Sequence, residues 1–405
     1  MNNRMDDAAE PAAHPAPSEL LSDRAVALMA LACAASVANG YYIQPLLVEI
    51  GGSLAMPEKL LGLLPALTQA GVAVGVLFLL PLADTLSARR LLLAVIPVQM
   101  AALLLAAVSV HTAILAAACL LIGLASVTPY VLPPYASLRT RPEDLGRVTG
   151  LLTRGVIVGI LLARAVSGVI GTYLGWRAVY GMALAVMLGV LLSLQHLVQP
   201  VSADPQAKTS NYRGLILSMG RLVRTIPALR AAALCQALSF GSFNVFWLGS
   251  AFYLQGPGFG WSPAAVGSVA VVGAVSALAA PLFGRAADIA GAHRARTLAF
   301  AGMSLGWVLL ALFRHNLLGM TVGLVILDIG AVVADISGRT ILYRLDASIR
   351  SRLNAIYTVA MFAGGGLMSA LVGFGWAAGG WLLLCGLGLL PVLIAAVVAA
   401  TDRSG

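Results

Sequence analysis

The chain has 405 residues, 60% of them hydrophobic and 10% charged, with a formal net charge of +9. Soluble domains carry about 25% charged residues, and here the apolar residues come in unbroken runs, which excludes a soluble globule. Runs such as "MALAVMLGVLLSLQHLV" lack the alternation of a barrel strand, and lipid admits only helices or closed barrels, so the chain reads as an all-α integral membrane protein.

Residues 1–23 carry Pro, Ala and five acidic residues, without a basic start or a short apolar core. They read as a disordered cytoplasmic tail, not a signal peptide. Twelve apolar segments follow, each long enough to cross a hydrocarbon core that needs about 20 helical residues. They begin near Arg24, Leu61, Leu91, Thr112, Val148, Arg177, Ala228, Ser262, Thr297, Leu317, Leu353 and Trp381. Residues 24–198 form a first set of six, 228–400 a second, and 401–405 a short tail.

The first segment carries Asn39, Tyr41, Tyr42 and Gln44. After the second comes "LPLADTLSARR", which sets Asp84, Ser87, Arg89 and Arg90 between two greasy runs. The fourth holds Thr128, Tyr130 and Tyr135 beside Pro129, Pro133 and Pro134, and the fifth holds Arg154 and Arg164. Residues 199–227 are the longest hydrophilic stretch, and their second part is both basic and apolar, as suits a helix on an anionic cytoplasmic surface. A plain tether is an equal reading. The seventh segment offers Gln236, Asn244 and Trp247. "LFGRAADIAGAHRART" follows the eighth, with Gly284, Asp288, Gly291 and Arg294. The tenth carries Asp328 and Asp335, and the eleventh Tyr357 and Phe362. Cys33, Cys119, Cys235 and Cys385 each lie singly in an apolar run and read as small hydrophobes.

An even number of spans puts both termini on one side. With that side inside, the outer loops hold only Lys59, Arg177 and Arg314, and 20 of the 25 basic residues lie inside. The net charge is thus a topology signal. Scattered over short loops and a tail, it is not a nucleic-acid surface.

The two halves echo each other. Asp84 and Asp288 are 204 residues apart, while "GRVTG" at 146–150 and "SRLNA" at 351–355, and the two "GW" pairs at 175–176 and 380–381, are offset by 205. The expected architecture is two parallel six-helix repeats with a substrate site between them at midplane.

Charge at midplane is costly and marks function. At about 1.5 Å per residue, Arg164 and Asp328 both lie on the order of 15 Å from the outer end of their helices. Arg154 and Asp335 lie nearer the cytoplasm. Asp328 and Asp335, seven apart, share a helix face.

"LPLADTLSARR" resembles the loop signature of the major facilitator superfamily, Gly-x-Leu-Ala-Asp-Arg-x-Gly and two basic residues, between its second and third helices. Asp84 fills the acidic place, Arg89 and Arg90 the basic ones, and Ser87 stands for the second glycine; Leu80 and Thr85 replace the first glycine and the arginine. Gly284, Asp288, Gly291, His293 and Arg294 make the second copy. "NGYYIQPLL", "RGVIVGILLARAVSG" and "SRLNAIYTVAMFAGG" resemble a bacterial drug:proton antiporter-like branch. That branch carries Gly-Pro-x-x-Gly-Gly in the fifth helix, where this chain reads "ARAVSG", with Arg164 in the place of proline.

The resemblance implies a twelve-helix transporter in a bacterial inner membrane, a monomer working by alternating access. Its tenth helix lines the cavity and its fifth lies between the halves, so Arg164 and Asp328 are expected to pair there, either with Asp328 binding and releasing a proton as the pair breaks and re-forms or as a permanent structural ion pair. Asp84 and Asp288 are expected to latch the cytoplasmic gate; Arg89 and Arg90 fit that role and plain positive-inside anchoring equally. The expected partners are lipid, protons and a small, anionic or drug-like solute, without cofactor or metal. Proton-coupled export is the first reading, and uptake or facilitated diffusion the alternative. An intramembrane enzyme or a transporter-derived sensor is remote, since the five histidines lie in tails, loops or span ends, no GxxxxGK[ST] loop occurs and no soluble domain is appended.

Overall fold

The computed structural model describes residues 20–84, 86–198, 212–274 and 291–402. Among these, nine helices are long and apolar enough to cross a membrane. Large apolar side chains such as Leu31, Leu104, Leu162, Leu192, Leu298 and Val397 stand exposed around the bundle. In water such a surface would aggregate; in lipid it is the solvent-matched face.

Helix α1 (Asp23–Ala38) starts on Ser22, whose Oγ accepts from the Ala25 N–H at 3.2 Å, while Asp23 in the first turn complements the helix dipole. The helix stops at "NGYYIQPL". Gln44–Leu46 form one 3₁₀ turn, Pro45 has no N–H to give, and the chain resumes as α2 (Leu47–Ser53). This break places Asn39, Tyr41, Tyr42 and Gln44 in the bundle interior, each less than 9% exposed.

Next come α3 (Leu63–Leu79) and α4 (Ala88–Ala107). The fourth expected segment is interrupted, with α5 (Thr112–Ala125) and α6 (Thr128–Ser137) meeting at Ser126 and Val127. A buried polar knot sits at this kink. Gln99 Nε2 donates to Ser126 Oγ at 2.8 Å and to the Ser36 carbonyl at 3.2 Å, and Ser36 Oγ donates to Gln99 Oε1. Helices α7 (Leu145–Leu174) and α8 (Trp176–Leu197) join at Gly175, φ +80°. Glu49 of α2 caps α8 by accepting from the Trp176 N–H at 3.1 Å.

Helix α9 (Tyr212–Thr225) exposes Arg213, Leu217, Arg221 and Arg224 and buries Met219. Tyr212 Oη donates to the Phe78 carbonyl at the end of α3, and Arg352 donates to Ser218 Oγ. Helix α9 marks the linker end of the bundle, and the opposite end is the far end.

Helices α10 (Pro227–Gln255), α11 (Pro263–Ser268), α12 (Ala292–Leu312) and α13 (Leu317–Tyr343) precede α14 (Arg350–Thr401). The last is a hairpin. Tyr357 Oη donates to Gln236 Oε1, yet 38 residues later the Ala395 carbonyl accepts from Cys235 Sγ, so both arms return to one level of α10. The reversal is at Gly380, φ +59°, a backbone conformation that a side chain would strain. Next to it Trp381 stacks on Tyr253, near the far end of α10, at 4.5 Å.

The two parts of the chain pack closely from the far end to the middle. A side chain at Gly62 would meet the Ser369 carbonyl, one at Gly168 the Pro263 carbonyl, and one at Gly267 the Arg164 carbonyl. Gln255 Nε2 reaches the Pro45 carbonyl at 3.0 Å. The bundle interior is therefore covered from the far end.

Candidate functional site

At the middle of this interface α7 supplies Arg164, the break after α1 supplies Gln44 and Tyr41, α10 supplies Trp247 and α13 supplies Asp328. Arg164 and Asp328 are 3% and 4% exposed. Arg164 Nε donates to Gln44 Oε1 at 2.7 Å, and the guanidinium carbon lies 3.9 Å from the centre of the Trp247 ring and 5.2 Å from that of Tyr41. Desolvated contacts of this kind over an indole are worth about 2 kcal/mol. Beyond α11, Gly273 brings the backbone beside Trp247 and Asp328. A Cβ there would stand 3.3 Å from Asp328 Oδ2 and 3.6 Å from Trp247 Cζ2.

The expected Arg164–Asp328 ion pair is not formed. The ion pairs among the described residues are Arg147 with Asp23 and Asp144, Arg296 with Asp402, and Arg339 with Asp335. Gln44 takes the Nε–H and the guanidinium lies over the Trp247 ring, and no hydrogen bond joins it to the Asp328 carboxyl. Arg164 Nη2, Trp247 Nε1 and Asp328 Oδ1 are buried without hydrogen-bond partners among the described residues. The site thus offers a free cationic donor and a free carboxyl oxygen around one indole.

A polar belt continues around it. Gln69 Nε2 on α3 donates to Asn244 Oδ1 on α10 at 3.3 Å, and Asn244 Nδ2 donates to the Phe240 carbonyl. Both amide atoms of Asn39 are unpartnered, whereas Tyr42 is simply buried. Sequence reasoning missed Gln69, although a glutamine inside an apolar run was a visible signal.

Toward the linker end a second cluster gathers. Arg339 Nε donates to both Asp335 oxygens at 3.0 and 3.1 Å, Nη1 to Asn354, and its guanidinium lies 5.0 Å from the Tyr357 ring. Gln236 joins through Tyr357, and Tyr130 packs edge-on to Phe362 at 6.4 Å. Asp335 is therefore neutralised one turn away by Arg339, an arginine that counting by loops had put outside the span. Arg154 is no buried charge. It is exposed, on the α7 face of Leu161 and two turns nearer the linker end.

Of the loop residues, Ser87 Oγ caps α4 by accepting from the Arg90 N–H at 3.4 Å, and Arg89 Nη2 donates to the Gln195 carbonyl. Asp84 ends the short helix Pro81–Asp84. Gly291, φ +84°, opens α12, and Arg294 is exposed. Gly284 and Asp288 lie outside the described residues.

Residues 29–256, more than half of the chain, match the Major Facilitator Superfamily. The chain belongs to that family. "Uncharacterized transporter YgaY" of Escherichia coli O157:H7 is 31% identical over 93% of this chain and 95% of its own length. "Probable transporter SCO4007" of Streptomyces coelicolor is 33% identical over 88% and 85%. Among solved structures, the nucleoside transporter NupG aligns with a TM-score of 0.73 at 16% identity, covering 94% of this chain and 99% of that one. The peptide transporter PepTSo aligns at 0.70 and 12%, covering 95% and 99%. At such identities the likeness speaks for the fold alone. This member of the Major Facilitator Superfamily is a multi-pass membrane transporter, not an enzyme, and its solutes are small molecules.

Proposed function

We propose that this chain exports a small carboxylate-bearing organic solute from a bacterial cytoplasm in exchange for protons, as a drug:proton antiporter-like member of its superfamily. The observation that carries this reading is the separation of Arg164 and Asp328. A helix from each part of the chain contributes one buried charge, and each charge keeps an unpartnered atom. Such groups are expensive in lipid and are retained where they bind something. Asp328 takes the exchanged proton, and Arg164 takes the solute's carboxylate.

Alternating access follows from twelve helices in two parallel six-helix halves acting as a monomer, with both termini cytoplasmic in the inner membrane. The two "GW" turns support the repeat, since Gly175 and Gly380 both have positive φ and each joins two helices. The far end is the periplasmic one, closed by the glycine contacts. The Asp84 and Asp288 loops, with Ser87, Arg89, Arg90, Gly291 and Arg294, latch the linker end when the site faces outward, and Asp335 with Arg339 lines the path between site and cytoplasm. Asn39, Gln69, Asn244 and the tyrosines provide the adaptable polar wall.

Inside-out vesicles carrying the full chain test this with a panel of organic carboxylates and a pH gradient, acid in the lumen. The expected result is accumulation of at least one solute that collapses with the gradient. Accumulation unaffected by the gradient, or driven only by its reverse, contradicts export by proton exchange.

A further inference from the structure

Arg164 and Asp328 each hold out one unused atom. In a low-dielectric interior opposite charges gain most by closing on each other, yet here the guanidinium is tied to Gln44 and laid on Trp247. Among the described residues, the groups gathered around the Asp328 carboxyl are Arg164 and Leu161 from α7, Trp247 from α10 and the backbone at Gly273 beyond α11, with Tyr41 beside the guanidinium. None of them hydrogen-bonds Oδ1. The site therefore presents two unpartnered buried atoms of opposite charge.

Three kinds of solute answer them differently. A simple anion fills Arg164 Nη2 but leaves a bare carboxylate unless Asp328 holds a proton, so anion and proton would travel together. A simple cation displaces the proton and leaves Nη2 bare. A molecule carrying both charges satisfies both atoms, and its ammonium takes the place of the proton. Only this last kind combines a carboxylate on Arg164 with proton exchange.

We propose that the site binds a compact zwitterion, an α-amino acid or a close relative, with its carboxylate on Arg164 Nη2 and its ammonium on Asp328 Oδ1. This deepens the exchange reading and rests on it. In the step itself the Asp328 O–H bond breaks, its proton leaves to water, and an ammonium N–H···O contact replaces it. Nothing is oxidised and no other bond changes. The Trp247 indole receives the apolar part of the molecule.

The test is binding to the purified full chain in lipid nanodiscs. The probes are the twenty protein amino acids, β-alanine and γ-aminobutyrate, each matched with its deaminated acid and its decarboxylated amine. Thermal shift and tryptophan fluorescence report binding, and a pH-indicator dye in weak buffer reports protons. At least one zwitterion should bind at least about thirtyfold more tightly than both of its truncated partners, the expected scale for losing one half of a buried charge pair. One proton should appear in solution per molecule bound. In Asp328→Asn the zwitterion and its acid should come within about threefold of each other, and in Arg164→Gln the zwitterion and its amine.

The comparison among probes uses the unmodified protein, so misfolding of a variant leaves it decisive. The proposal is overturned if a deaminated acid or an amine binds as tightly as its parent, or if no zwitterion binds. Binding of an acid with proton uptake removes the zwitterion but keeps proton coupling. Binding of a zwitterion with no proton released keeps the site's chemistry and removes the exchange.

Discussion

Gln44 Oε1 accepts a 2.7 Å hydrogen bond from Arg164 Nε, while Arg164 Nη2 and Asp328 Oδ1 are buried without partners. This arrangement distinguishes a poised site from a structural ion pair. Removing one member of a joined buried pair costs about 3–5 kcal/mol. Asp328→Asn removes a carboxyl that touches no partner, so its unfolding midpoint should equal or exceed the parent's. Thermal unfolding in detergent checks this, and a large drop would mean that the two charges are joined.

Arg296 and Asp402 form the contrasting case. Their side chains are 1% and 5% exposed and meet at 2.8 Å, tying the start of α12 to the end of α14. Asp402→Ala strands a buried arginine, so a loss of about 3 kcal/mol is expected. The same thermal assay reads it, and an unchanged midpoint would show the tie to be dispensable.

Closure at the far end depends on backbone contact at Gly168 and Pro263. Gly168→Val forces these helices apart. A cysteine in place of Ala270, itself 2% exposed, then becomes reachable, while the four native cysteines are buried and stay silent. Labelling by an impermeant maleimide from the far side should rise at least about fivefold over Ala270→Cys alone, a population shift of order 1 kcal/mol. Equal labelling would place the closing contact elsewhere.

Topology has a direct check. Leu217, 75% exposed on α9, and the exposed Gly258 in the loop after α10 are expected on opposite sides of the membrane. Cysteines at the two positions should label from the cytoplasm and the periplasm respectively. Labelling from one side only would end the proposed orientation.

Much of this fold was legible. Helix starts expected at Arg24, Thr112, Ala228 and Leu317 lie within one residue of those observed, because unbroken apolar runs have few alternatives in lipid. The break at "NGYYIQPL" and the one before α6 lie beside Pro45 and Pro129, which have no N–H to carry on a preceding helix and stand in the first turn of the next. Arg164 and Asp328 were found by their charge alone. Their relation was not, because helical rise fixes depth along an axis and says nothing about rotation or about which side chain competes for the guanidinium. Gln44 won that competition, and only packing shows it. Arg339 was hidden by its nearness to a loop, although its place four residues after Asp335 fits an ion pair. Nothing in the sequence marks Gly168 or Gly267 as a packing contact, and only packing shows that a neighbouring backbone lies against each of them.

In the proposed exchange, Asp328 is the carboxyl that gains and loses the proton. Infrared difference spectra of the full chain in lipid, recorded across a pH titration, read this without any solute. A buried carboxylic C=O band should rise and fall with pH in the parent and in Asp335→Asn, and be missing from Asp328→Asn. A titrating band that survives in Asp328→Asn would contradict the account.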